Sequence, residues 1–298
     1  MNTYKMNFTP NAHIEYNDDI LEPIWSYLGC LYKNGQILKD YELIEGNEGL
    51  WALVTLPDQE ALNTENNNIY VNKYLDAVQA YFDVSSEYLG KNMNQDESCG
   101  CKEPSWYMLY TDWTLSESPV VCGDCGKAVP LYKLPHILNS DEHYGVLGWQ
   151  KAYKSTDILW MYGLSDRSTF RQMHDPRSQL SRDGISICKA FEEKLGKPFF
   201  YYLFNMYRTN KNCPICGSDW KIYGEKTFVD YKCEKCRLVA DRKSKYGAKI
   251  DVFSDTNNPA VLKVCPLDIV KGGSEALCVL TEQSKCQNKR VGGKDNDY

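Results

Sequence analysis

Four cysteines in the last third of the chain have the type and spacing of a metal site. Cys213 and Cys216 form one CxxC pair, Cys233 and Cys236 form a second, and 16 residues separate the pairs. A two-residue turn lets both sulfurs of a pair reach one ion, and four thiolates satisfy tetrahedral Zn²⁺. A redox dithiol and disulfides are the alternatives, and the occurrence of two CxxC units together disfavours both. The spacing predicts a structural zinc site that supplies most of the stability of a small module.

A second group of cysteines predicts a second zinc ion. Cys99 and Cys101 form a CxC pair, Cys122 and Cys125 form a CxxC pair, and 20 residues lie between the pairs. A CxC pair is a less usual chelator, and unligated thiols are the alternative. The two groups together predict two Zn²⁺ ions per chain.

Both predicted shells contain four thiolates, which is the structural pattern of zinc rather than the catalytic one. We therefore expect no enzymatic activity. His136 and His143 follow the second group in the sequence and could replace one of its ligands, which a catalytic zinc would require. No phosphate-binding loop or dinucleotide fingerprint is present in the sequence.

The composition predicts a folded protein of a reducing compartment. The chain has 298 residues, 43% of them hydrophobic, and its 13 cysteines suit the cytoplasm better than secretion. The sequence shows neither a signal peptide nor an apolar run of membrane-spanning length, so we expect no membrane association.

The net charge of −6 conceals an asymmetry along the chain. Residues 1–150 have 8 basic and 22 acidic side chains, whereas residues 151–250 have 20 basic and 11 acidic ones. The basic part could contact nucleic acid, or it could pack on the acidic half of its own chain. The sequence leaves both possibilities open.

The first half of the chain predicts an α+β fold with a ferredoxin-like sandwich. Residues 1–9, 36–45, 50–56 and 106–113 have the pattern of strands. Helices are expected from Asn17 to Asn34, capped by Asn17, and from Tyr70 to Phe82. The order strand-helix-strand-strand-helix-strand then places the four-cysteine site as an insertion next to the last strand, 106–113.

The second half predicts helices followed by a ribbon. Three helices are expected between Tyr144 and Gly196, and Pro198 opens a dense aromatic strand to Phe204. That strand could stack on bases, but a buried anchor for the ribbon is favoured over this. Residues 219–223 and 227–231 predict two short ribbon strands. The predicted organisation is an acidic domain at 1–135, a helical segment at 136–210, a zinc ribbon at 211–249 and an uninformative tail at 250–298.

Three phrases of the sequence resemble an uncharacterised bacterial family of zinc-ribbon-containing, possibly nucleic-acid-binding proteins. They are Ser118–Cys125 with Val129–Pro135, the aromatic run after Pro198, and the end of the ribbon from Tyr231 to Val239. The resemblance covers roughly residues 10–245 and implies a zinc-bearing protein of conjectural activity.

Two binding functions remain as hypotheses. Nucleic acid is slightly favoured, because lysines could contact phosphates and aromatic rings could stack on bases. The residues expected to make these contacts are Lys221, Lys226, Lys232, Lys235, Arg237, Arg242, Lys243, Trp220 and Tyr223. The alternative is a protein-interaction or immunity role, in which the acidic N-terminal half binds a basic partner such as a toxin. The oligomeric state is open.

Overall fold

The computed structural model describes residues 1–38, 41–205, 212–223 and 228–241. The described part is an α+β protein with two sheets. None of its helices has the length and apolar character needed to cross a membrane. The predicted tail, 250–298, lies outside the described residues.

The first sheet is antiparallel and is built by the N-terminal 91 residues. Its strands are β1 (Asn2–Pro10), β2 (Leu43–Gly46), β3 (Gly49–Leu56) and β4 (Phe82–Lys91), in the order β2-β3-β1-β4. Helices α1 (Asp18–Asn34) and α2 (Ile69–Gln79) pack against each other and enclose a core with the sheet. Asn17 caps α1 as predicted, because its side chain accepts a hydrogen bond from the Ile20 amide.

The prediction was wrong about the strand that closes this sheet. Phe82 was assigned to the second helix, but α2 ends at Gln79 and Phe82 begins β4 beside β1. Residues 106–113 contribute a strand of the other sheet instead. The sequence pattern did not indicate β4 as a strand, because most of its residues are exposed and apolar residues do not alternate strictly with polar ones.

The second sheet has five strands in the order β6-β5-β7-β9-β8. Their bounds are β5 (Tyr107–Leu109), β6 (Val120–Cys122), β7 (Phe199–Tyr202), β8 (Tyr231–Cys233) and β9 (Leu238–Ala240). The two inner contacts, β5 with β7 and β7 with β9, are parallel, and the two edge strands pair antiparallel with their neighbours. Both cysteine groups are therefore attached to this one sheet, a grouping that the predicted domain boundaries did not anticipate.

Helices α3 (Tyr144–Met161), α4 (Asp166–His174) and α5 (Gln179–Leu195) connect β6 to β7. They pack on one face of the second sheet, where Phe199 and Tyr201 of β7 meet Trp149 and Phe191. All four residues of β7 are buried in the middle of the sheet. The predicted aromatic strand is thus a buried anchor, and it has no ring free to stack on bases.

Candidate metal centres

The structure brings the cysteines together in two groups, which we call cluster one and cluster two. Cluster one consists of Cys99, Cys101, Cys122 and Cys125. Cluster two consists of Cys213, Cys216, Cys233 and Cys236. Within each cluster all sulfur atoms lie within 4.8 Å of one another, and each cysteine is a free thiol. Both clusters can therefore hold a metal ion.

Cluster one lies beside edge strand β6, which ends at Cys122. The Cys122 amide donates to the carbonyl of Lys127 (2.9 Å) and the Cys99 amide donates to that of Ala128 (2.8 Å). These bonds bring the CxC and CxxC segments together although 20 residues separate them in the sequence. Cys122 is fully buried, whereas Cys101 and Cys125 are exposed.

Cluster two lies beside the opposite edge strand, β8, which ends at Cys233. The backbones of residues 220–222 and 230–232 pair as in a hairpin. The Lys232 amide donates to the Trp220 carbonyl, and the Ile222 amide donates to the Asp230 carbonyl. Residues 224–227, the predicted turn, lie outside the described residues. Cys213 and Cys233 are buried, and Cys216 and Cys236 are half-buried.

The residue after each CxxC motif adopts the left-handed backbone conformation. It is Gly126 (φ +73°) in cluster one, and Gly217 (φ +74°) and Arg237 (φ +52°) in cluster two. In two of the motifs the glycine amide donates to the carbonyl of the first cysteine (2.9 Å in each), which closes the turn that aims both sulfurs inward. Arg237 takes this conformation although it is not glycine. Its guanidinium donates hydrogen bonds to both carboxylate oxygens of Glu192.

The sulfur separations fit a tetrahedral ion. With metal–sulfur bonds of about 2.3 Å, two ligands of a tetrahedron lie about 3.8 Å apart. The Cys99–Cys125 sulfurs are 3.5 Å apart and the Cys216–Cys233 sulfurs are 3.7 Å apart. A disulfide bond would need about 2.0 Å. The donor set of each cluster, four thiols, is the one that soft or borderline metals prefer.

The thiols differ in how readily they ionise. Burial raises the pKa of Cys99 in cluster one and of Cys236 in cluster two. Hydrogen bonds from the side chain and the backbone of Ser218 lower the pKa of Cys216 to about 6. A metal binds the thiolate form, so loading either cluster releases protons and becomes weaker as the pH falls.

The two histidines considered as replacement ligands belong to neither cluster. Their rings lie against each other with centroids 4.6 Å apart, and His136 Nε2 contacts Asn34 Oδ1 at 3.1 Å. His143 is buried, and burial lowers its pKa to about 3. The pair packs at the junction of α1 and α3, so the candidate metal ligands that group together in the described residues are all sulfur.

Three of the predicted nucleic-acid contacts are engaged within the protein. Lys232 lies over the rings of Trp106 (4.3 Å) and Phe200 (4.5 Å) and pairs with Glu234 at 2.9 Å. Arg237 pairs with Glu192, and Trp220 is only 3% exposed. Those side chains pack beside cluster two and on the second sheet.

Two of the remaining predicted contacts, Tyr223 and Lys221, lie next to each other. Tyr223 is 70% exposed, and Lys221 Nζ lies 5.0 Å from the centre of its ring. Lys235 lies between the cysteines of the last CxxC motif. Three other candidates, Lys226, Arg242 and Lys243, lie outside the described residues.

Sequence reasoning missed Trp106, which joins the two clusters. Gly123 of cluster one has no room for a side chain, because a Cβ there would come within 2.0 Å of the Trp106 ring. The same ring lies under the ammonium of Lys232, the neighbour of Cys233, and it stacks on Phe228 at 5.8 Å. The glycine inside the first CxxC motif was the available signal for this close approach.

Two family patterns match the chain. Residues 101–204 match a domain of unknown function, DUF2310, and residues 207–243 match another, DUF8594. The first pattern contains most of cluster one and all of α3 to α5. The second contains all of cluster two.

Two proteins of Haemophilus influenzae, both described as uncharacterised, are similar to this chain. One is 30% identical over 229 residues, which cover 70% of this chain and 85% of the relative. The other is 30% identical over 168 residues, which cover 52% and 80%.

A solved structure from Bacteroides thetaiotaomicron also aligns with the chain. It is a conserved protein of unknown function described as a possible oxidoreductase, and the match covers 30% of this chain and 98% of that one. At 13% identity and a TM-score of 0.25, it supports no conclusion about fold or activity.

Proposed function

The chain belongs to a family of uncharacterised bacterial proteins that includes these Haemophilus relatives, and from its own two cysteine clusters we propose that it is a zinc protein with one Zn²⁺ in each cluster. The observation that carries the proposal is the pair of sulfur separations, 3.5 and 3.7 Å, close to the edge of a zinc–thiolate tetrahedron. We assign cluster two and its hairpin to a zinc ribbon. We assign the first sheet to a ferredoxin-like sandwich on its strand order.

Both ions have a structural role in this proposal. A shell of four thiolates leaves no position for water or substrate, so the protein is not expected to catalyse a reaction through either zinc. Each ion instead fixes an edge strand of only three residues. Since free thiols persist in a reducing compartment, we place the protein in the cytoplasm.

Metal analysis of the purified protein tests the proposal. Elemental mass spectrometry should find two zinc ions per chain, and Co²⁺ replacement should produce the visible absorption of tetrahedral thiolate coordination. Cys122→Ser and Cys213→Ser should each remove about one ion per chain. A protein without bound metal, or one that contains iron in place of zinc, would contradict the assignment.

Nucleic acid is the second candidate function, and one observation favours it. Tyr223 projects an exposed ring beside cluster two with the Lys221 ammonium over it, so a base and a phosphate could both be contacted there. This surface is smaller than the sequence predicted, because Lys232, Arg237 and Trp220 are engaged inside. A basic protein partner for the acidic N-terminal half stays a prediction.

Fluorescence anisotropy with short single- and double-stranded DNA and RNA tests this candidate. Binding should weaken as salt rises, and Tyr223→Ala with Lys221→Gln should reduce it about tenfold. Tyr162→Ala is the matched control, because that ring is also exposed (59%) but lies on the helical side. Equal binding by all three proteins would remove this surface from consideration.

A further inference from the structure

A cavity of about 540 Å³ lies on the face of the second sheet opposite the helices. Its floor contains Met108 and Val121 from neighbouring strands and the rings of Tyr110 and Tyr202, whose centroids are 4.7 Å apart. The segment from Lys91, the last residue of β4, to Glu97 forms another wall. The volume and the aromatic floor are those of a small-molecule site.

Two side-chain oxygens of the lining lack a hydrogen-bond donor among the described residues. They are Glu117 Oε2 and Gln95 Oε1, and both atoms are buried. Glu117 is only 8% exposed, so its carboxylate is largely removed from water. A buried acceptor without a donor costs free energy, and both of these atoms are acceptors. An occupant that supplies N–H donors would remove that cost.

The charges of the described residues around the cavity are unbalanced in the same direction. Among these residues, four carboxylates line the cavity, against two lysines. The lysines, Lys91 and Lys127, both pair with Glu97 at the rim (3.0 and 3.4 Å). The carboxylates of Glu117 and Asp241 are both buried. An anionic occupant would be repelled by these groups.

We propose that this cavity binds a small organic cation, a primary ammonium or guanidinium attached to an apolar or aromatic body. The cation would donate to Glu117 and Gln95 while its body packs on the Tyr110 and Tyr202 rings, which also attract positive charge. The described lining contains no cysteine of either cluster, although Val121 and Gly126 of its wall adjoin Cys122 and Cys125 of cluster one.

Isothermal titration calorimetry with three probes of one shape tests the charge requirement. The probes are 2-phenylethylamine, 2-phenylethanol and phenylacetate, added to the full-length, metal-loaded protein. The amine should bind about tenfold more tightly than the alcohol, and phenylacetate should not bind. Equal affinity for the amine and the alcohol, or no binding of the amine, would overturn the proposal.

Substitutions locate the site. Glu117→Gln should weaken amine binding about tenfold and leave alcohol binding unchanged. The matched control is Glu103→Gln, an exposed carboxylate that does not line the cavity. Should Glu117→Gln melt at a lower temperature than the parent protein, Gln95→Leu provides the second test and should weaken amine binding as well. Unchanged affinity in both variants would place the amine elsewhere.

The chain itself contains a competing cation source, since Arg242 and Lys243 follow Asp241 directly in the sequence. The variant Arg242→Gln with Lys243→Gln separates the two cases. Unchanged amine affinity supports an external ligand. A tenfold gain in affinity would show that the protein's own side chains occupy the cavity, and it would overturn the proposal.

Discussion

Cluster one and cluster two hold the two opposite edges of the same sheet, but they differ in depth. In cluster two the buried Cys213 and Cys233 belong to the hydrophobic core that also contains the helices α3 and α5. In cluster one only Cys122 is buried, and Cys101 and Cys125 face solvent. Each edge strand has only three residues, so we expect a metal bound at either cluster to stabilise the edge beside it. Cys122 belongs to the same core, so the comparison indicates two core sulfurs in cluster two against one in cluster one.

The two clusters are nevertheless connected through the packed side chain of Trp106. Trp106 packs on Gly123 of cluster one, and it also contacts Lys232 next to Cys233 of cluster two. A change at one cluster therefore has a packed path to the other. The predictions below separate the effect of depth from the effect of this contact.

Removing one ligand from each cluster should give the largest difference. Cys233→Ser should lower the free energy of unfolding by more than about 4 kcal/mol, because it releases the metal and leaves a polar group in the core. Cys101→Ser should cost only about 1–2 kcal/mol, since the exposed position can be filled by water. Denaturant unfolding with parallel metal analysis measures both. Equal losses would mean that depth does not distinguish the clusters.

Filling the space at Gly123 tests the contact through Trp106. Gly123→Ala places a Cβ within 2.0 Å of the indole ring, so the ring or the CxxC loop must move, at a cost of about 1–3 kcal/mol. Gly100→Ala is the matched control in the other half of cluster one, because a Cβ there meets no atom within 4 Å. Thermal melting and chelator-induced metal release provide the readout. Similar behaviour of the two variants would count against a tight fit at Trp106.

A pH series should distinguish the clusters through Asp157 on α3. Its carboxylate accepts from the Trp113 amide (2.9 Å), in the segment that leads to cluster one. Burial raises the pKa of Asp157 from its usual value of 3.8 to about 7. The folded protein therefore binds this proton more tightly than the unfolded chain, and the resulting stabilisation is lost as the pH rises through about 7.

The variant Asp157→Asn should remove that dependence. Its melting temperature should exceed that of the parent protein at pH 8 and approach it near pH 5, and metal release from cluster one should slow at pH 8. Asp76→Asn, at an exposed position of α2, is the control and should melt like the parent protein at both values. A parent protein with the same melting temperature at pH 5 and pH 8 would argue against a buried carboxylate.

The cysteine clusters could be predicted from sequence because a metal site depends on local spacing. Each CxxC motif fixes its own turn, two of the three with a following glycine, and the pairs need only meet. The last strand of the first sheet could not be predicted in this way, because β4 has mostly exposed side chains and begins three residues after α2 ends. The internal roles of Lys232 and Arg237 were also hidden, since their partners Trp106 and Glu192 are more than 40 positions away. A lysine that covers a ring has the same sequence signal as one that contacts a phosphate.

The smallest expected effect concerns Arg237, where cluster two uses a charged residue in the place that cluster one gives to Gly126. Its guanidinium hydrogen-bonds both carboxylate oxygens of Glu192 at 2.9 to 3.1 Å, and this contact lowers the pKa of Glu192. Since both side chains are about one-third exposed, Glu192→Gln should cost only about 1 kcal/mol. Glu193→Gln, its exposed neighbour, should cost nothing measurable.

The backbone contribution at Arg237 can be separated from the ion pair by comparing two further variants. Arg237→Ala and Arg237→Gly both remove the guanidinium, but only glycine takes φ +52° without strain. The glycine variant should therefore be more stable than the alanine variant by about 1 kcal/mol in denaturant unfolding. If the two unfold alike, the left-handed turn costs little and the Glu192 pair alone explains the arginine. If glycine is favoured, the ion pair with Glu192 is what allows cluster two to do without the glycine of cluster one.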